Sequence, residues 1–115
     1  MKNQDALRER FLRDPLPVRM GNLAATLGRV ASSARRPSAD DIVSDLLEES
    51  QWLVEWTAAD ADPDTAGELV DIQVMISIWR AAWPQEGKSH PQRALLSLQS
   101  SLWSEQVLER SGLTG

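Results

Sequence analysis

The chain has 115 residues, enough for one domain with a single buried core. It carries no cysteine and one histidine, which excludes a disulfide framework, a thiolate zinc site, a cysteine nucleophile and a histidine-rich metal centre. The net charge of −5 is unevenly spread: residues 1–37 hold eight Lys/Arg against three Asp/Glu, residues 38–86 hold Arg80 alone against twelve, and residues 87–115 hold three against two. The arginines form no dense run and are not interleaved with aromatics, which argues against a nucleic-acid role. The basic first third is expected to fold against the acidic middle, or to meet a protein partner or second subunit through complementary charge.

No uninterrupted apolar stretch approaches the ~20 residues needed to span a bilayer, and the opening MKNQDALRERF lacks the apolar segment of a secretory signal, so a cytoplasmic address without a membrane span is expected. Residues 1–16 carry too little apolar surface to hold a helix alone, even with Leu7 and Phe11, and are expected to be mobile or partner-dependent. The bundle domain is therefore placed at 17–115.

From Pro17, apolar residues recur at Met20, Leu23, Leu27 and Val30, the spacing of one helical face, which predicts a helix over about 17–34. Beside that face Gly21, Ala24, Gly28 and Ala31 form a small-residue stripe, suited to close helix packing or to docking. Ser38 followed by Asp40 and Asp41 reads as a cap with carboxylates in the first turn of a helix that runs to about Ala59. Asp62-Pro63 opens the next helix, expected to stop at Trp83 before Pro84 and Gly87. Ser89 to Gln92 has the form of a capping box and Gly112 that of a left-handed stop, giving a last helix over 90–111. With short connections and no strand pattern, the fold class is all-α: an antiparallel bundle of about four helices, possibly with a short N-terminal helix.

The helix from Pro63 is apolar nearly all round, with Leu69, Ile72, Ile76, Trp79 and Trp83 on one face and Val70, Val74, Met75 and Ile78 beside it, so it is expected to be central. In the helix before it, Glu49 interrupts the face Ile42, Leu46, Leu53, Trp56. A carboxylate there predicts a buried ion pair, with Arg80 or Arg29 as partner. Trp52 stands on the otherwise acidic line Asp45, Glu48, Glu55, where an exposed indole suggests a contact surface.

Glu68 and Asp71 share a helical face, and Glu55 falls level with Glu68 if the hairpin is antiparallel. The trio resembles part of the MazG-type all-α nucleotide pyrophosphatases, which bind Mg²⁺ through an E-E-x-x-E helix and an E-x-x-D helix. Glu68-Leu69-Val70-Asp71 matches the second half. The first half fails: Glu48 and Glu49 have Trp52 and Leu53 where a glutamate is needed, and an indole offers Mg²⁺ no oxygen. More broadly, EESQWLVEWTAAD (Glu48 to Asp60), ELVDIQ (Glu68 to Gln73) and LWSEQVLERSGL (Leu102 to Leu113) resemble a family of small conserved proteins of cyanobacteria. That resemblance implies an organism class and no mechanism. The leading expectation is a non-enzymatic helical interaction or regulatory protein, possibly a homodimer, without a cofactor. The Mg²⁺-dependent pyrophosphatase built on Glu55, Glu68 and Asp71 is the alternative.

Overall fold

In a computed structural model that describes residues 4–112, the chain is helical throughout its ordered elements: α1 (Gln4–Leu12), α2 (Leu16–Ala34), a 3-10 turn (Pro37–Ala39), α3 (Asp40–Ala58), α4 (Pro63–Glu86) and α5 (His90–Ser111). Helices α2 to α5 close a four-helix bundle in which each is antiparallel to its neighbours. The direction is fixed by cross-helix bonds whose residue numbers rise on one partner as they fall on the other. Ser97, Ser100 and Ser104 of α5 reach Ala31, Leu27 and Ala24 of α2, and on the opposite side Trp79 reaches Gln99 while Gln106 reaches Glu68. Among the described residues no helix is long and apolar enough to cross a membrane.

The helix ends follow local chemistry. Asp62 accepts the Thr65 N–H at 3.1 Å and Ser89 accepts that of Gln92 at 3.4 Å, with proline one residue on in the first case, Pro63, and two residues on in the second, Pro91. Gly112 has φ +78°, the left-handed stop expected of it. Two boundaries differ from expectation. Ser38 does not cap α3; it sits inside the 3-10 turn, and Ala39 precedes the helix. Helix α4 runs through Pro84 to Glu86, because a proline in the last turn removes one N–H while Gly87 still donates to the Trp83 carbonyl at 2.8 Å. A Cβ on Gly87 would lie 3.0 Å from the Trp83 ring and carbonyl, so any larger residue there would have to push Trp83 aside by a few tenths of an ångström.

The core is built from Met20, Leu23, Leu27 and Val30 of α2, Val43, Leu47, Leu53, Val54 and Trp56 of α3, Leu69, Ile72, Ile76, Trp79 and Trp83 of α4, and Leu96, Trp103 and Val107 of α5. The expected inner face of α4 is confirmed residue for residue, but α4 is not the central helix. Helix α2 makes extensive contact with both α3 and α5, whereas α4 packs mainly on α3 and approaches α5 only loosely. Trp79 spans that gap with its ring N–H on Gln99, while the small residues of α2 let α5 come close. In α3 the buried residues are Val43, Leu47, Ser50, Leu53, Val54, Trp56 and Thr57; of the face expected around Glu49, Leu53 and Trp56 are buried, Leu46 is half-buried and Ile42 is exposed, so Glu49 lies at the edge of the inward stripe.

Helix α1, expected to lack the surface to hold itself, is attached through Phe11, with half-buried Leu7 and Leu12 packed beside it. Phe11 is buried with its ring centroid 6.0 Å from that of Trp56.

Candidate functional site

The small-residue stripe of α2 is occupied from within. Ser97 Oγ donates to the Ala31 carbonyl at 2.7 Å, Ser100 Oγ to Leu27 at 2.6 Å and Ser104 Oγ to Ala24 at 2.7 Å. Each carbonyl already accepts a helix bond, and its second lone pair takes the hydroxyl. Arg35 Nε adds a bond to Ser97 Oγ at 2.8 Å. The packing reading of the stripe therefore holds, and it is not a free docking surface.

The acidic line is also altered by its surroundings. Asp45 and Glu55 are exposed, but Trp52 is half-buried, stacked on Trp56 at 6.0 Å and 22°. The exposed indole expected there is corrected by α1, whose Asp5, Arg8 and Leu12 face Trp52, Trp56 and Glu55 across a shallow cleft of about 680 Å³. On the other side of α1, Arg10, Arg29, Asp14 and Glu49 line a cleft of about 530 Å³, where opposite charges offset one another.

Arginines pair with four of the twelve carboxylates of the acidic middle segment, Glu48, Glu49, Asp60 and Glu68. Glu49 accepts from Thr26 Oγ1 at 3.2 Å and lies 3.5 Å from Arg29, as one of the two expected pairings. The pair is not buried, however: the Arg29 side chain is 62% exposed and that of Glu49 26%. Arg80 is not its partner; it lies 3.6 Å from Glu48 and donates to Gln51 Oε1 at 2.8 Å. Glu68 accepts from Arg110 Nε, which raises the guanidinium pKa, and from Gln106 at 3.3 Å. Glu55 and Asp71 are exposed. Among the described residues no three His, Asp or Glu side chains gather where they could hold a metal ion, so the Glu55, Glu68, Asp71 convergence is not formed. The cause is specific: the bond that fixes Glu68 comes from α5, on the side away from α3.

One charged residue escaped the sequence reading. Arg19 is buried at the Leu16, Met20, Leu23 face, donating to Asp60 at 2.9 Å and to the Trp56 carbonyl at 3.4 Å in the last turn of α3. A cation there completes the free carbonyls of a helix end. Its position one turn before Leu23 on the apolar stripe was the available signal.

The surface left without an internal partner is elsewhere. Of the nine exposed large apolar side chains among the described residues, seven lie on α4 and α5: Val70, Val74, Met75, Ile78, Leu95, Leu98 and Leu102. Ile78, Leu98 and Leu102 are more than half exposed, at 57%, 57% and 54%. The Trp79–Gln99 bond of 2.7 Å fixes the register, so Ile78 stands level with Leu98 and Met75 with Leu102. The two stripes therefore adjoin across the open α4–α5 groove as one apolar face.

These features define an all-helical bundle with one closed seam and one uncovered apolar face. No family model matches the chain, and no curated protein and no solved structure matches it significantly.

Proposed function

We propose that this chain is a non-enzymatic helical interaction protein that works by docking an apolar protein surface on the α4–α5 face. The single observation that carries this reading is the continuous row of exposed Val74, Met75, Ile78, Leu95, Leu98 and Leu102 on two adjacent helices. Isolated exposed leucines are ordinary, but the largest contiguous apolar patch of a protein, typically about 300–600 Å², is often its functional surface. The acidic face with Trp52 and the α2 stripe, both suggested by sequence, are partly or wholly covered by other helices of the same chain. Two of the eight basic residues of the first third meet carboxylates of the middle within the chain, through Arg19–Asp60 and Arg29–Glu49, and the reading rests on the apolar face rather than on charge.

The test is affinity purification from the source cells with wild type and with Leu98→Glu or Ile78→Glu, followed by mass spectrometry. A specific partner, or untagged copies of the chain itself, should be retained by wild type and lost from both variants, whose helical content should be unchanged. Equal recovery by wild type and variants would count against this face.

A further inference from the structure

We infer that the α4–α5 face is covered by a second copy of this chain, related by a two-fold axis perpendicular to the helices, so that the two copies run antiparallel. This rests on the interaction reading above and names its partner.

A two-fold interface brings one patch against itself, so the patch must be self-complementary in shape and free of unpaired charge at its centre. The centre of the face carries no charge. Val74 and Ile78 form one ridge at i, i+4 and Leu98 and Leu102 another, and a two-fold perpendicular to the helices sets each ridge antiparallel to its own copy, apolar against apolar, with the side chains of one interleaving between those a turn apart on the other. A stable interface needs about 800 Å² per partner; six leucine-sized side chains half exposed supply on the order of 500 Å², and polar neighbours such as Gln85 and Ser101 supply the rim.

Charge decides the direction. Beyond one end of the patch, on the same helical stripes, stand exposed Asp64 and Asp71 of α4 and Glu105 and Glu109 of α5. Beyond the other end stand exposed Ala81, Gln85 and Pro91, with exposed Lys88 in the connecting turn. A parallel pair would set four carboxylates on four carboxylates. The antiparallel pair lays each acidic end over the end of its partner that carries exposed Lys88 and His90 and a single half-buried carboxylate, Glu86, which avoids that repulsion.

The experiment combines light scattering after size exclusion with spin-label distances; the native sequence has no cysteine, so a single Glu109→Cys label is unambiguous. The wild type should be a dimer at micromolar concentration, and Ile78→Glu and Leu98→Glu should each be monomeric with unchanged far-ultraviolet circular dichroism. Glu109 lies eleven residues from Leu98, about 16 Å along the helix, so antiparallel labels should be about 30 Å apart or more, whereas parallel ones would lie within about 20 Å. A short distance would overturn the antiparallel arrangement, and a dimer that survives both glutamate variants would overturn the assignment of the face. A wild-type monomer overturns the second copy. If that monomer still retains a host protein that Leu98→Glu loses, the interaction reading stands without it; if it retains none, both fall.

Discussion

Helix α5 turns serines toward α2 and leucines toward solvent, the reverse of what hydropathy alone would assign. Ser97 and Ser100 are buried, whereas Leu95, Leu98 and Leu102 stand outside. The difference shows what decides burial here. Opposite Ala24, Gly28 and Ala31 the backbones come close enough for a hydroxyl to reach a carbonyl, so a serine is fully hydrogen-bonded and adds little bulk. A leucine in the same place would hold the helices apart. On the α4 side, Trp79 spans a wider gap, and leucines beyond it find nothing of their own chain to cover them.

That contrast can be broken most severely at the seam. Ser100→Leu should destabilise the fold by about 2–4 kcal/mol, because it overfills a closed contact and strips the Leu27 carbonyl of its donor. Leu98→Ser, two residues away, should change the stability of the monomer by no more than about 0.5 kcal/mol. Denaturant unfolding of the two variants at low protein concentration compares them directly. Arg19→Ala should cost about 1–3 kcal/mol, since it removes packing and a donor from the end of α3, while Asp60 is exposed enough to be resolvated.

Glu49→Ala should be milder, about 1 kcal/mol or less, because Arg29 is largely in water and is not stranded by the loss. An unfolding midpoint lowered as far as that of Arg19→Ala would contradict this. The smallest effect concerns pH. Bonds from the Thr65 side chain and backbone hold the Asp62 carboxyl below its ordinary value. A carboxylate depressed in the folded state stabilises above its unfolded pKa, about 3.9, and loses that contribution as pH falls through the folded value. Asp62→Ala should therefore lower the thermal midpoint at pH 7, and the gap from wild type should narrow below about pH 4. A gap independent of pH would show that the charge plays no part.

Much of this architecture was legible in the sequence. Asp62-Pro63, Ser89-His90-Pro91 and Gly112 are punctuation whose effect is local, and the inner face of α4 follows from its 3.6-residue period. What could not be read was set by neighbours. Trp52 looked exposed because its line is acidic, and only the docking of α1 through Phe11 half-buries it. Glu49 looked buried because Ile42, Leu46, Leu53 and Trp56 share its period, yet the inward stripe is centred one position further round, on Leu47, Ser50, Val54 and Thr57, and keeps Leu53 and Trp56 while leaving Ile42 exposed and Glu49 at its edge. The seam serines carry no apolar signal at all; their role depends on the small residues of a helix more than sixty positions earlier. The apolar α4–α5 face could be noticed in α4 as excess hydrophobicity, but its continuation onto α5 depends on the register between the two helices.

The central claim, that the α4–α5 face is an association surface between copies while the seam is internal, is tested most directly by the concentration dependence of thermal unfolding. A protein that folds as a dimer gains stability with concentration, and a monomer does not. The wild-type midpoint should rise steadily as protein concentration is raised a hundredfold, and the Ile78→Ser, Leu98→Ser double variant should unfold at one midpoint throughout. A wild-type midpoint that stays fixed over that range, or a double variant whose midpoint climbs as steeply as the wild type's, would contradict the account.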